Sequence, residues 1–524
     1  MSMVVVLFFS NMTTARHIAV LPIGTCPVPY VSQPLQGILN IPLQLFTGFH
    51  MLKEGLMDLH TANKSITIIG GGPGGYSAAL TAAKLGAKVT LIEKNKLGGT
   101  CLNEGCIPTK ALLKCAEVNH LFKKAEMYGI ESTHKKFDYA KAINFKNQVV
   151  AQIVGGVEQL IKASGIKYIQ GEGRVVDTHT VAIKKDAEII KVHSQSIIIA
   201  SGAKETAIPG LETDGINIFN SSQILSSEKL PTKLVIIGGG VIGVEFASIF
   251  SSLCVDVTLI ELTDRLIAAE DEDLSAAITK ALMRKGVTVL LDTQVQHVDH
   301  PGQNDMVLTV ITGNGDVELI NCDQILVCVG RQALTSDVGL SAVNIQIDDG
   351  RVRTDKFMQT NVEGIYAIGD ITQSEQLAHI AYYEARTAVQ HIMGMAGEVN
   401  YKAIPHCIFS SPEIAIVGHT ETSARKLIKQ VGVVKYPFYC NGKAVIELET
   451  EGFVKLIYDK TSGHILGVTI IGTKATELIA TYTLAINNEL TVMDIVNTVH
   501  AHPTLSEALH ETALMAAGLD LHVL

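Results

Sequence analysis

Residues 66–93 read ITIIGGGPGGYSAALTAAKLGAKVTLIE, and residues 234–261 read LVIIGGGVIGVEFASIFSSLCVDVTLIE. Aligned without gaps, the two blocks are identical at 13 of 28 positions, so the chain carries an internal repeat. Each block has an apolar β-branched run, a glycine cluster, a helix-like stretch and a second apolar run that ends in Glu. This order predicts strand–turn–helix–strand, the opening of a dinucleotide-binding βαβ unit. The apolar runs are continuous rather than alternating, which suits parallel strands buried on both faces. Two such units predict two dinucleotide sites.

In the first block Gly70, Gly72 and Gly75 fit G-x-G-x-x-G. The first glycine makes the tight turn, the second lets backbone approach a pyrophosphate, and the third allows close helix–strand packing. The helix N-terminus then turns its partial positive charge to the phosphates. Glu93 closes the second strand, where a carboxylate accepts from ribose hydroxyls. Gly238, Gly240, Gly243 and Glu261 repeat the pattern. A carboxylate at Glu261 accepts from a free 2′-hydroxyl and repels a 2′-phosphate, so the second site reads as NAD rather than NADP, with Arg265 close by as the opposing signal.

The stretch 98–110 reads GGTCLNEGCIPTK. On an ideal helix, Cα atoms five residues apart lie roughly 8–9 Å from each other, and a disulfide needs less than about 7 Å. Pairing Cys101 with Cys106 therefore requires a distorted turn. Pro108 supplies one cause, because it removes a bond to the carbonyl of Glu104 and crowds it. A strained bridge is easier to reduce. From spacing alone, a redox pair and two unrelated buried thiols stand level; the position directly after a nucleotide unit favours the pair. No second cysteine or histidine pair lies nearby at zinc-ligand spacing, so no metal is expected.

Bulk properties narrow the class. The chain has 524 residues, enough for about three domains. With 47% hydrophobic and 18% charged residues it is expected to be globular, not disordered. A net charge of −10 argues against nucleic acid or anionic lipid as the main partner. Nine scattered cysteines do not make a secreted disulfide framework, and point to a reducing interior. No acid precedes Glu54, and Arg16 and Lys53 are the only Lys or Arg before it. This opening lacks the basic region of a signal peptide, the arginines of a transit peptide and the apolar length of a membrane span.

The organisation read from the sequence is an N-terminal extension (1–62), a first nucleotide domain (63–210), a second (211–334), a return to the first (335–403) and a C-terminal domain (404–524). The fold class is α/β, with two Rossmann-like domains and an α+β C-terminal domain.

GGTCLNEGCIPTK resembles the active-site segment of the pyridine nucleotide–disulfide oxidoreductases, above all their dihydrolipoyl dehydrogenase branch. HAHPTLSEALHE (500–511) resembles that family's C-terminal catalytic segment. IIIASGA (197–203), ILVCVGR (325–331), GIYAIGD (364–370) and QLAH (376–379) follow in family order. The resemblance covers roughly 64–520. It implies FAD and NAD as cofactors, and a C-terminal domain that dimerises. It implies Cys101 as the thiol that meets substrate and Cys106 as the thiol over the flavin. Lys110 is similar to the lysine beside the flavin and Glu245 to its carboxylate partner. Asp370 resembles the ribityl ligand. His502 resembles the base and Glu507 the acid that orients it, the pair reaching the cysteines of a second copy.

Further flavin contacts implied are Gly173, Ala200, Ser201, Gly202, Gln376, Leu377, Ala378 and His379; Gly330 and Glu245 join the NAD site. The implied reaction oxidises dihydrolipoamide on a lipoyl domain and reduces NAD⁺, with the acyltransferase core of a multienzyme complex as partner. The expected location is the cytoplasm, or the mitochondrial matrix if 1–62 is a transit segment. Glu261 and Gly243 depart from glutathione reductases, the lack of a C-terminal cysteine pair from mercuric reductases, and the paired cysteines from soluble transhydrogenases. An NADH-dependent reductase of another disulfide, and a non-catalytic docking flavoprotein, are the competing readings. Thr109, Cys328, Ala480 and Thr481 depart from the common family pattern.

Overall fold

The computed structural model describes residues 64–131, 136–300, 305–520 and 522. The extension 1–62, read above as a leader or an appendage, lies outside the described residues.

Both repeat blocks fold as the sequence predicts, and the repeat is longer than the aligned blocks. Strand Ser65–Ile69 runs into the first glycine turn, then helix Pro73–Lys84, then strand Lys88–Glu93. The two strands pair in parallel, Ile66 opposite Val89 and Ile68 opposite Leu91. Strands Ser196–Ile199, Lys167–Gln170 and Ile365–Ala367 complete a five-stranded parallel sheet. Lys233–Ile237, Asp256–Ile260, Gln324–Val327, Thr288–Leu290 and Ile218–Asn220 build the second sheet in the same order. Each sheet is accompanied by a three-stranded antiparallel meander, residues 172–193 in the first and 294–322 in the second. The edge strand of the first sheet, Ile365–Ala367, arrives after the whole second unit, which is the chain's return to its first domain.

The apolar runs supply the cores. Ile68, Leu91, Ile198, Val257, Leu259 and Leu326 are fully buried, each worth roughly 1.5–3 kcal/mol relative to exposure. Residues 406–472 form a five-stranded antiparallel sheet. Helices Ala475–Asn487 and Glu507–Ala517 pack on it through Ile479, Tyr482, Ala508 and Leu509. No helix among the described residues is long and apolar enough to cross a membrane.

Candidate active site

The two glycine turns are built alike, and each glycine has its own reason. Gly70 and Gly238 have φ of +104° and +109°, a region that L side chains rarely adopt. A Cβ on Gly75 would stand 1.8 Å from the Gly70 carbonyl oxygen, and one on Gly243 1.9 Å from that of Gly238. Helix and strand meet too closely there for any side chain. Among the described residues a Cβ on Gly240 would meet open space, and one on Gly72 would come no closer than 3.8 Å, to Gly99 Cα. That is the approach a pyrophosphate needs.

Glu93 and Glu261 do more than the sequence indicated. Glu93 Oε2 accepts from Gly71 N at 2.6 Å and Oε1 from Asn95 N at 2.7 Å. Glu261 Oε2 accepts from Gly239 N at 2.6 Å, and Oε1 from Thr263 N at 2.8 Å. Each carboxylate therefore braces its glycine turn. Spare lone pairs on the same oxygens remain for ribose hydroxyls.

From the first turn a cavity of about 1850 Å³ runs through the protein. Its lining includes Gly70, Gly72, Glu93, Cys101, Cys106, Lys110, Gly173, Ala200, Ser201, Gly202, Glu245, Asp370, Gln376, Leu377, Ala378 and His379. The structure thus gathers the residues assigned to the flavin, with Gly75 packed behind them. Gly238, Gly240, Gly243 and Glu261 group at the second turn, and Gly330 follows the adjoining strand with φ +113°. The glycine turn and a volume of this size suit a dinucleotide such as FAD, and the Nε of Arg331 at the wall is a buried donor with no partner among the described residues.

The cysteines sit at a helix break. One helix spans Gly99–Glu104, and the next begins at Cys106. The break falls at Gly105 (φ −143°, ψ −109°), not at Pro108. Pro108 lies in the first turn of the new helix, where a missing N–H costs nothing. Thr109 donates through Oγ1 to the Gly105 carbonyl at 2.7 Å. Both cysteines are thiols, and their environments pull them apart. The hydrogen bond from Cys101 holds the Cys106 thiol down to about 7 against the cost of burial, with help from the Lys110 charge. The helix N-terminus favours the same anion. Donating that bond, together with burial, pushes Cys101 far above the ordinary thiol range. The two thiols therefore titrate as one coupled pair, with Cys106 the favoured site of the anion.

Lys110 Nζ contacts Glu245 Oε2 at 2.7 Å and stands 4.5 Å from the centre of the Phe409 ring. Glu245 Oε1 also accepts from Phe409 N at 2.8 Å. Three parts of the chain therefore meet at one ion pair. Burial raises the Asp370 carboxyl, with Arg331 and Arg351 opposing. Burial lowers His379, whose Nε2 donates to the Pro405 carbonyl at 2.9 Å.

His502 and Glu507 are brought together, but not with the cysteines of the same chain. His502 Nδ1 lies 2.8 Å from Glu507 Oε1, Thr504 N donates to Oε2 at 2.7 Å, and neither residue lines the cavity. The imidazole is 80% exposed, which leaves it free to serve a surface beyond its own chain. Burial would raise Glu507, but the Thr504 and His502 bonds outweigh it and keep the carboxyl low. A tyrosine pair escaped the sequence reading: Tyr76 Oη and Tyr382 Oη lie 2.6 Å apart, close enough to feel charge on both cysteines. Their separation of 306 residues leaves no local signal.

Comparison with known proteins gives the family. Residues 64–385 match the family described as pyridine nucleotide-disulphide oxidoreductase, and 404–513 match its dimerisation domain. The dihydrolipoyl dehydrogenase of Chlamydia muridarum is 40% identical over 459 residues, covering 87% of this chain and 97% of the relative. That of Bacillus subtilis is 40% identical over 461 residues, covering 87% and 100%. The mitochondrial one of Dictyostelium discoideum is 37% identical, covering 88% and 96%. Among solved structures, LpdA of Mycobacterium tuberculosis superposes with a TM-score of 0.81 at 25% identity, covering 86% of this chain and 99% of that one. The HOCl-induced flavoprotein disulfide reductase RclA of Escherichia coli gives 0.76 at 28% identity, covering 86% and 99%.

Proposed function

The chain belongs to the pyridine nucleotide-disulphide oxidoreductase family, and on that premise we propose that it is a dihydrolipoyl dehydrogenase, oxidising protein-bound dihydrolipoamide to lipoamide with reduction of NAD⁺. The observation that carries the reading is the Cys101–Cys106 pair at a helix break, lining a cavity that begins at a glycine turn, with the Lys110 charge and the helix N-terminus favouring the anion at Cys106. That polarity is the one a dithiol–disulfide exchange needs. In the oxidised enzyme a substrate thiolate attacks Cys101, and Cys106 leaves as the better-stabilised thiolate. The second substrate thiol then displaces Cys101 and closes the lipoamide ring, leaving both cysteines reduced.

His502 accepts the proton of the attacking thiol, and Glu507 holds its tautomer and stabilises the imidazolium. Because His502 stands outside the cavity of its own chain, it serves the Cys101 of a second copy, and the working unit is a homodimer. Lys110, braced by Glu245, places positive charge beside Cys106. The first glycine turn and Asp370 would hold FAD along the cavity and the second turn would hold NAD, and bound flavin would supply the two-electron chemistry that a dithiol and a nicotinamide cannot share directly. Glu261 selects the unphosphorylated ribose. Lipoyl domains of a 2-oxoacid dehydrogenase, acetoin dehydrogenase or glycine cleavage system are the substrate carriers, in a reducing compartment such as cytoplasm or mitochondrial matrix.

The test is substitution. Cys101→Ser and Cys106→Ser abolish lipoamide turnover while NADH oxidation by artificial acceptors persists; full lipoamide turnover by Cys101→Ser overturns the assignment.

A further inference from the structure

Glu384 carries a carboxyl group with none of its residue surface exposed. Among the described residues no cation lies within ion-pair distance of it, so its charge has no counter-ion. Such a group costs several kcal/mol unless hydrogen bonds satisfy it. Oε2 accepts from Gly369 N at 2.6 Å, Oε1 accepts from the Tyr401 hydroxyl at 2.7 Å, and the Ser374 hydroxyl also favours the carboxylate.

Gly369 opens the short turn Gly369–Ile371 that carries Asp370, and its φ is +71°. The Gly369 carbonyl is also held, by Thr372 Oγ1 at 2.9 Å, and Thr372 Oγ1 meets Ser374 Oγ at 2.8 Å. A Cβ on Gly369 would stand 3.2 Å from Ala381, on the helix Ala378–Ile392 that also bears Glu384. The turn is therefore pressed onto this helix and tied by its amide to one buried carboxylate. Asp370, on that turn, lines the cavity.

We propose that Glu384 is a positioning residue for the flavin site, fixing the Gly369 amide so that the Asp370 carboxylate meets the ribityl hydroxyls, with Tyr401 fixing Glu384 in turn. The inference rests on the reading of Asp370 as the ribityl ligand. Burial raises the Glu384 carboxyl, hydrogen bonds from Ser374, Gly369 and Tyr401 oppose the rise, and Asp370 adds a little to it. The charge is thus under strain, and its bonds to N–H and O–H keep it in place.

The experiment measures the rate of FAD release from the holoenzyme by recovery of free-flavin fluorescence, for wild type, Asp370→Ala, Glu384→Ala, the double variant, Glu384→Gln and Tyr401→Phe. Asp370→Ala and Glu384→Ala each speed release at least tenfold, and the double variant is no faster than Asp370→Ala alone. Glu384→Gln, which keeps an acceptor for Gly369 N, stays within about threefold of wild type, and Tyr401→Phe falls between. Amide exchange at Gly369–Ile371 rises in Glu384→Ala while strand Ser196–Ile199 stays protected.

Normal release by Glu384→Ala, or multiplication of the two single effects, overturns the role of Glu384. Normal release by Asp370→Ala overturns the ribityl reading instead. If Glu384→Ala loses protection in Ser196–Ile199 as well, Tyr401→Phe decides: faster release supports the relay, and wild-type release overturns it.

Discussion

Replacing Lys455 with Met should destabilise this protein by removing the central cation of a buried charge cluster. Lys455 lies on the antiparallel sheet of the C-terminal domain and is 1% exposed. Its Nζ contacts Asp271 Oδ2 at 2.8 Å, Asp273 Oδ2 at 2.9 Å and Glu421 Oε2 at 3.6 Å. Asp271 and Asp273 open helix Glu272–Arg284 of the second nucleotide unit, so the cluster joins that unit to the C-terminal domain. Lys435 also pairs with Asp273 and would continue to serve it, but Asp271 would be left buried beside a methionine. Breaking a buried pair by removing one partner costs about 3–5 kcal/mol.

At roughly 2–4 °C per kcal/mol for a domain of this size, the melting temperature of the affected unit falls by roughly 6–20 °C. Unfolding of several domains is not two-state, so calorimetry should be joined to amide exchange on helix Glu272–Arg284. Adding Asp271→Asn to Lys455→Met should recover at least half of the loss, because the orphaned charge is its main source. A loss under about 1 kcal/mol, well below the range for a broken buried pair, or no recovery in the double variant, refutes the reasoning.

The cluster also has a pH signature. Its hydrogen bonds raise Lys455 despite burial, so this contribution is complete below about pH 10.4 and is lost as pH rises through the higher folded value. The lysine bonds lower Asp273 despite burial, so that contribution is complete above about pH 3.9 and is lost as pH falls through the lower folded value. The deficit of the Lys455→Met variant is therefore flat across neutral pH.

Gly75→Ala places a methyl group where the Gly70 carbonyl stands, and should weaken FAD retention at least tenfold, measured by flavin release. In the reduced protein, thiolate absorbance should titrate near pH 7 through Cys106, and Lys110→Met should move the midpoint up by about one unit. Glu261→Ala removes the acceptor for Gly239 and Thr263 and should raise the KM for NAD⁺ about tenfold, checked by initial rates. Glu507→Gln should slow lipoamide turnover by at least a hundredfold while NADH oxidation by artificial acceptors is unchanged.

The nucleotide turns were legible because each role falls on one residue with one physical reason: Gly70 for its φ, Gly75 for its packing, Gly72 for open backbone. The parallel sheets followed from their continuous apolar runs. What stayed hidden is tertiary. The break between the cysteines belongs to Gly105, which looks locally like any glycine, whereas Pro108 advertises itself and sits where it does no harm. Glu384, Lys455 and the Tyr76–Tyr382 pair read as ordinary helix or strand residues, since their partners come from distant segments. His502 had no signal of its own beyond the segment that surrounds it, and its exposed position gains meaning only with a second copy of the chain.

The most direct test of the central claim is an anaerobic titration of the purified holoenzyme with dihydrolipoamide, followed by NAD⁺, watched by visible absorbance. The account predicts a long-wavelength charge-transfer band from the Cys106 thiolate beside oxidised flavin, and then NADH formation with return of the starting spectrum. A flavin spectrum that ignores dihydrolipoamide yet responds to NADH would contradict the assigned substrate and leave another disulfide to be found.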